Sequence, residues 1–312
     1  MTSPSETVPV ARPRLSRTTL LGIGGVIGCA VIWGTTWYAI TLQLGTVATI
    51  ASIVWRFGLA SAVLFLGCLI FRQNLRLTRA QHLAALAQGA FAFSISYSFT
   101  YASEGHVASA IVAVTFAALT FLNLVLFRVA AGQRAAAASW GGALLGLVGV
   151  AVLSGGEVLK AGFDGQAAVG VGLALIATTA SAFGNFFAWK GQQKGSAAIP
   201  STAWAMAYGT GLLAIYGLAT GVEFTIDPSL SYVGSLLYLS VFGSVIAFGL
   251  YFTIARMIGY AMASYVSALT PPIAMLVSVL FEGAHFGWTA LAGLLLVLSG
   301  QALMIRAPKI AS

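Results

Sequence analysis

Long apolar runs constrain this chain more than any other feature: residues 47–71, 136–154 and 286–305 are the clearest. Each reaches the roughly 20 residues that a helix needs to cross a bilayer. Only 7% of the 312 residues are charged, against 59% hydrophobic, and the mean hydropathy is +0.94. A soluble domain carries roughly 25% charged residues, so this chain has no polar surface to offer water. Backbone groups inside lipid must bond within their own segment. The class is therefore an all-α polytopic membrane protein.

Turn signals and charges divide the chain into ten apolar segments, near 19–42, 47–71, 82–103, 106–127, 135–154, 168–190, 200–220, 230–255, 261–281 and 286–306. The first run follows Arg12, Arg14 and Arg17, as in a signal peptide, but continues past Trp33 without a small-residue cleavage site. It is expected to remain as an uncleaved span.

The charges test the count. With the N-terminus inside, Arg12, Arg14, Arg17, Arg72, Arg76, Arg79, Arg128, Arg134, Lys190, Lys194, Arg256, Arg306 and Lys309 fall on the cytoplasmic side. The opposite connections hold Lys160 with Glu104, Glu157, Asp164, Glu223, Asp227 and Glu282. Short cytoplasmic loops collect Lys and Arg. The alternation predicts ten spans in a bacterial cytoplasmic membrane with both termini inside, and it assigns the net charge of +8 to topology and lipid headgroups rather than nucleic acid. Cys29 and Cys68 both lie in apolar runs, as small hydrophobes. No motif calls for a metal or any other cofactor.

An internal echo organises the spans. WGTTWYAITLQ (33–43) aligns without gaps on FGNFFAWKGQQ (183–193), ASAIVAVT (108–115) on ASYVSALT (263–270), and Gly142 and Gly149 on Gly293 and Gly300. The alternative is that apolar helices resemble one another by chance. Taken as a repeat, the chain reads as a tail (1–18), a five-helix half (19–154), a linker (155–167), a second half (168–306) and a tail (307–312). Five is odd, so the second half enters from the opposite side, giving an inverted repeat with its substrate site between the halves.

Ten helices in two five-helix repeats, each opening with an aromatic-Gly-polar-polar-aromatic motif, resemble the drug/metabolite transporter superfamily of the EamA type. Within it they are most similar to the YddG-type bacterial exporters of aromatic and other neutral amino acids. The resemblance implies export of small metabolites by alternating access, no enzymatic activity, and a cavity between spans 1–4 and 6–9 with spans 5 and 10 peripheral. Relatives of this type often carry an aromatic residue before a proline midway along span 4. Here that position reads Phe116-Ala117, which makes Phe116 a candidate lining residue, and the prolines stand instead in span 9 as Pro271-Pro272.

Polar groups inside spans face a cavity or another helix. Helical spacing groups Trp33, Thr36 and Trp37 on span 1, and Ser94, Tyr97, Ser98 and Tyr101 on span 3. On span 6 it groups Phe183 with Phe187 and Asn185 with Trp189; on span 7, Trp204 with Tyr208; on span 8, Ser244, Phe248 and Tyr251. Span 9 offers Ser264, Tyr265, Ser267 and Thr270. These rings and hydroxyls suit a small amphipathic substrate. For any one aromatic residue the alternative is the interfacial belt, which is the preferred reading of Trp140 and Trp288. Pro271-Pro272 kinks its helix and frees carbonyls around Ser267 and Ala268, as a hinge or as part of a substrate cradle. Arg56, nine residues into span 2, either anchors a substrate carboxylate or bonds backbone carbonyls and snorkels outward.

Because every acidic residue but Glu6 lies near an outer connection, and no carboxylate sits at a span centre, gradient-driven rather than proton-coupled transport is expected. The alternative within the superfamily is efflux of drugs or cationic toxicants. A monomer suffices for either, and the required partners are the bilayer and a small-molecule substrate.

Overall fold

Helices start and stop here where local chemistry dictates. Thr78 accepts from the Gln81 backbone while the Gln81 side chain returns to the Thr78 N–H, a capping box that opens a helix at Arg79. Gly132, at φ 66°, ends the helix that runs to Ala131 in the left-handed conformation that costs glycine least. The computed structural model describes residues 17–160, 165–258 and 265–306.

Among the described residues the chain forms helical rods separated by short connections. They are α1 (Arg17–Thr41), α2 (Thr49–Ile70), α3 (79–104), α4 (Ser109–Ala131), α5 (Ala137–Lys160), α6 (Gln166–Gln193), α7 (Ala198–Ala219), α8 (230–258), α9 (Tyr265–Phe281) and α10 (Trp288–Arg306). Six of the helices are long and apolar enough to cross a membrane: α1, α2, α4, α5, α6 and the Leu230–Tyr251 part of α8. Shorter apolar helices lie at Leu269–Phe281 and Trp288–Met304.

Two rods are interrupted in the same way. Gly89–Ile95 in α3 and Tyr238–Ile246 in α8 are π-helical. In each, a buried serine five residues on returns its hydroxyl to the first carbonyls of the stretch: Ser94 to Gly89 at 3.3 Å, and Ser244 to Leu239 at 2.9 Å. A π-bulge leaves a carbonyl short of its usual partner and often marks a functional site. The serines fill that vacancy.

The rods pack through small residues. Along the α5–α10 seam, a Cβ on Gly142 would meet the Gly300 carbonyl at 2.5 Å, and one on Gly149 would meet the Gly293 carbonyl at 2.6 Å. Backbones this close need glycine on both sides. α2 lies against α7, where the Ser61 hydroxyl donates to the Ala203 carbonyl at 3.0 Å. α1 lies against α8 and α9, and α3 against α6 and α7. The largest core cluster joins Ile53, Phe57, Phe93, Met206 and Leu239 from α2, α3, α7 and α8. Pro271 and Pro272 lie within the continuous α9 helix, which stays helical on both sides of them.

Candidate functional site

α1 carries its polar-aromatic face to α8. The Trp33 indole N–H donates to the Gly243 carbonyl at 3.1 Å, inside the π-helical stretch, and its ring centroid lies 5.3 Å from Phe248 and 5.6 Å from Tyr251. Gly243 permits this approach: a Cβ there would lie 2.7 Å from Thr36 Cγ2 and 3.7 Å from Arg56 Nη2. One turn further along α1, Trp37 packs on Phe116 at 4.9 Å, where α4 tightens into a 3-10 turn over Phe116–Ala118. The buried indole nitrogen of Trp37 has no hydrogen-bond partner among the described residues.

Behind this face lies a buried polar cluster. Arg56 is 2% exposed. Its Nη1 donates to the Tyr101 hydroxyl at 3.4 Å, and Tyr101 donates to Gln43 Oε1 at 2.7 Å. The guanidinium lies 4.6 Å over the Tyr97 ring and 5.0 Å over Phe57, close enough for cation–π attraction. Among the described residues Arg56 thus neither snorkels nor binds backbone carbonyls; Tyr97 and Tyr101 of α3 and Phe57 of α2 hold it. Its Nε and Gln43 Nε2 remain without hydrogen-bond partners.

Glu104 completes the cluster as the last residue of α3. The sequence puts it in an outer connection, whereas its side chain is only 7% exposed and neither carboxyl oxygen has a hydrogen-bond partner. Glu282, just past α9, accepts from the hydroxyls of Ser109 (2.9 Å) and Ser278. Gln43, Glu104 and Glu282 were not sequence candidates. A span-end carboxylate reads as solvated; α6, α2 and α1 pack on the Ser96–Glu104 end of α3, where Glu104 is buried.

The remaining candidates fall into separate groups. Phe183 lies 5.3 Å from Phe91 and is 37% exposed, in an open groove on the bundle surface with Ile95, Leu175, Ile176 and Thr179; Phe187 stacks on Phe91 at 5.7 Å. The matching aromatic face expected from α6 is thus not beside Trp33. Gly184 rests on Ala92 of α3, a built Cβ falling 2.6 Å away, and this rolls the Phe183 side of α6 outward. Trp189 packs on Phe127 and Phe186 at 5.5 and 5.7 Å, and Asn185 reaches Asn123 at 3.5 Å.

Trp204 donates to the Leu75 carbonyl at 2.9 Å and stacks on Tyr208, whose hydroxyl lies 2.9 Å from His82 Nδ1. Ser94 donates to the Gly209 carbonyl at 2.9 Å, besides its contact with Gly89. Thr270 returns its hydroxyl to the Val266 carbonyl. The hydroxyls of Ser94, Ser244 and Thr270 are therefore engaged by backbone. Ser264 and the side chains of Tyr265 and Ser267 lie outside the described residues.

Helices of this length and apolarity, with an aromatic face and a buried charged cluster at the meeting of α1, α2, α3 and α8, have the makeup of a membrane transporter. The EamA-like transporter family matches residues 20–155 and again residues 168–306. The chain belongs to that family. Among relatives, the protein described as the uncharacterized inner membrane transporter YedA of Escherichia coli K12 is 26% identical over 301 residues, covering 92% of this chain and 94% of YedA. The similarly described YicL of Salmonella typhimurium is 32% identical over 106 residues, 34% of this chain and 35% of YicL. A solved crystal structure at 18% identity superposes with a TM-score of 0.65 over 92% of this chain and 96% of its own, a likeness of fold. This EamA-type chain is thus a multi-pass membrane transporter, which implies a lipid environment and a small-molecule substrate.

Proposed function

We propose that this EamA-type transporter exports neutral and aromatic amino acids and related small metabolites by alternating access between two inverted five-helix halves. One observation carries the substrate class. Trp33, Phe248 and Tyr251 form an aromatic wall bonded to Gly243, and Gly243 also lies beside the Arg56 guanidinium. Rings offer stacking to an aromatic or aliphatic side chain, and a guanidinium is the natural partner of a carboxylate.

The two-fold arrangement is supported by the double family match and by the paired π-helical stretches. The α5–α10 seam adds to this. If Gly142 and Gly149 correspond to Gly293 and Gly300, the contacts Gly142–Gly300 and Gly149–Gly293 exchange under a two-fold axis. The charge pattern supports the orientation with both termini cytoplasmic and Glu104, Glu282 and Arg56 toward the outside.

Counterflow of labelled phenylalanine in proteoliposomes tests the reading, with nucleotide sugars and a lipophilic quaternary cation in parallel. Phenylalanine exchange is expected, and its absence with the protein folded would sink the proposal. Trp33→Ala is expected to cut that exchange by roughly tenfold, the worth of one lost aromatic contact. A second reading, efflux of cationic compounds, is favoured by the unpartnered Glu104 carboxyl. Exchange of the quaternary cation alone would select it.

A further inference from the structure

Three charged side chains meet at the end of the bundle where α3 and α9 finish. Arg56 comes from α2, Glu104 from α3, and Glu282 follows α9; Glu104 lies within electrostatic reach of both others. The other elements packed on this end add little charge. The α1–α2 connection presents Gln43 and α3 itself adds Tyr101 and Tyr97. The only titratable side chains of α4 and α6 are Arg128 and Lys190, at their far ends. His106, two residues past Glu104, turns to Gln166 at 2.6 Å.

Glu104 stands between the like charge of Glu282 and the opposite charge of Arg56, and an ionised carboxylate buried without an ion-pair partner is costly unless neutralised. The hydrogen bonds say where the neutralising proton sits. Glu282 accepts from two serine hydroxyls, Ser109 and Ser278. Glu104 accepts from nothing among the described residues and is nine-tenths buried. A buried carboxylate without a donor is strongly unfavourable, and the neutral acid at the same place costs far less.

We propose that Glu104 is a proton-binding site, occupied while the Gln43–Tyr101–Arg56 cluster closes this end of the bundle and emptied to solvent when that end opens. The carboxylate takes one proton from water on closing and returns it on opening, with no other bond changed. The expectation of uncoupled transport rested on the absence of a carboxylate at a span centre; Glu104 stands at a span end, but its burial gives the chain an enclosed carboxylate all the same. The coupling of this proton to transport rests on the transporter reading above; the proton site itself does not.

Infrared difference spectroscopy of the full chain in lipid vesicles tests the site without any substrate. At neutral pH the wild type should show the carbonyl stretch of a protonated buried carboxylic acid. Glu104→Gln, nearly the same in shape, should abolish it. Glu282→Gln, which removes the like charge, should move its alkaline loss to lower pH. A band absent from the wild type, or surviving in Glu104→Gln, would overturn the site. A band displaced by sodium ions at constant pH would show a metal-cation site instead.

In the same vesicles a pH gradient should drive accumulation of labelled phenylalanine by the wild type. Glu104→Gln should exchange phenylalanine but not accumulate it. Exchange without accumulation in the wild type would overturn coupling. Loss of exchange in the wild type would count against the substrate reading and leave the infrared result to decide the proton site.

Discussion

Arg56 sets the terms at the level of single residues. Burying its guanidinium is tolerable because the Tyr97 and Phe57 faces and the Tyr101 hydroxyl surround it, with the Glu104 carboxyl within electrostatic reach. Removing one member leaves the others unpaired, and an orphaned buried polar group costs about 1–3 kcal/mol. Tyr101→Phe takes away both the acceptor for Arg56 and the donor to Gln43. It should lower the thermal unfolding midpoint in detergent while leaving the helical circular dichroism at low temperature unchanged. A midpoint equal to the wild type would mean that water already satisfies both groups. Arg56 stood out in the sequence as a lone base inside a span, but its partners did not. Gln43 and Tyr101 are 58 positions apart, and no helical periodicity links them.

α8 shows what an interrupted element contributes. Its π-helical stretch aims the Gly243 carbonyl at Trp33, and the missing side chain at 243 lets Thr36 and Arg56 close in. Gly243→Ala places a methyl 2.7 Å from Thr36 Cγ2, and such overpacking costs typically 1–3 kcal/mol. Because it forces α8 from α1 at the candidate site, transport should fall more than stability does, read as exchange per folded molecule. Gly149→Ala is the contrast. It jams the α5–α10 seam against the Gly293 carbonyl, away from the aromatic wall, so it should lower stability and leave exchange per folded molecule close to the wild type. Equal effects of the two on exchange would argue against a site beside α8.

For the whole molecule, the alternation of charge makes a prediction about sidedness. Single cysteines replacing Arg76, between α2 and α3, and Glu223, between α7 and α8, should react with a membrane-impermeant reagent from opposite faces in cells, with Glu223→Cys labelled from outside. Cys29 and Cys68 are buried and should stay silent. Labelling of both from one face would overturn the proposed topology. Across that whole, the backbone of Ser229 and the Thr46 hydroxyl hold the half-buried Asp227 carboxyl below the usual carboxylate range. A carboxyl so lowered lends its stabilisation above the ordinary carboxylate range and loses it as pH falls. The α1–α2 and α7–α8 connections that it ties together should therefore loosen only in acid.

The helical membrane character and the approximate ends of the rods followed from apolar runs and charges alone, because a bilayer demands some 20 apolar residues per crossing whatever the neighbours are. The polar-aromatic face of α1 was legible for the same reason, since Trp33, Thr36 and Trp37 share one side by helical geometry. Tertiary packing decided the rest. Whether Phe183 looks inward or out depends on how α6 rolls against Ala92; whether Ser94 and Ser244 are free depends on π-helical carbonyls that no residue pattern announces. Glu104 differs from a solvated span-end carboxylate only by what surrounds it. Burial is a property of several chain segments at once, so a charge that one span shows to water on paper can be sealed inside by three others.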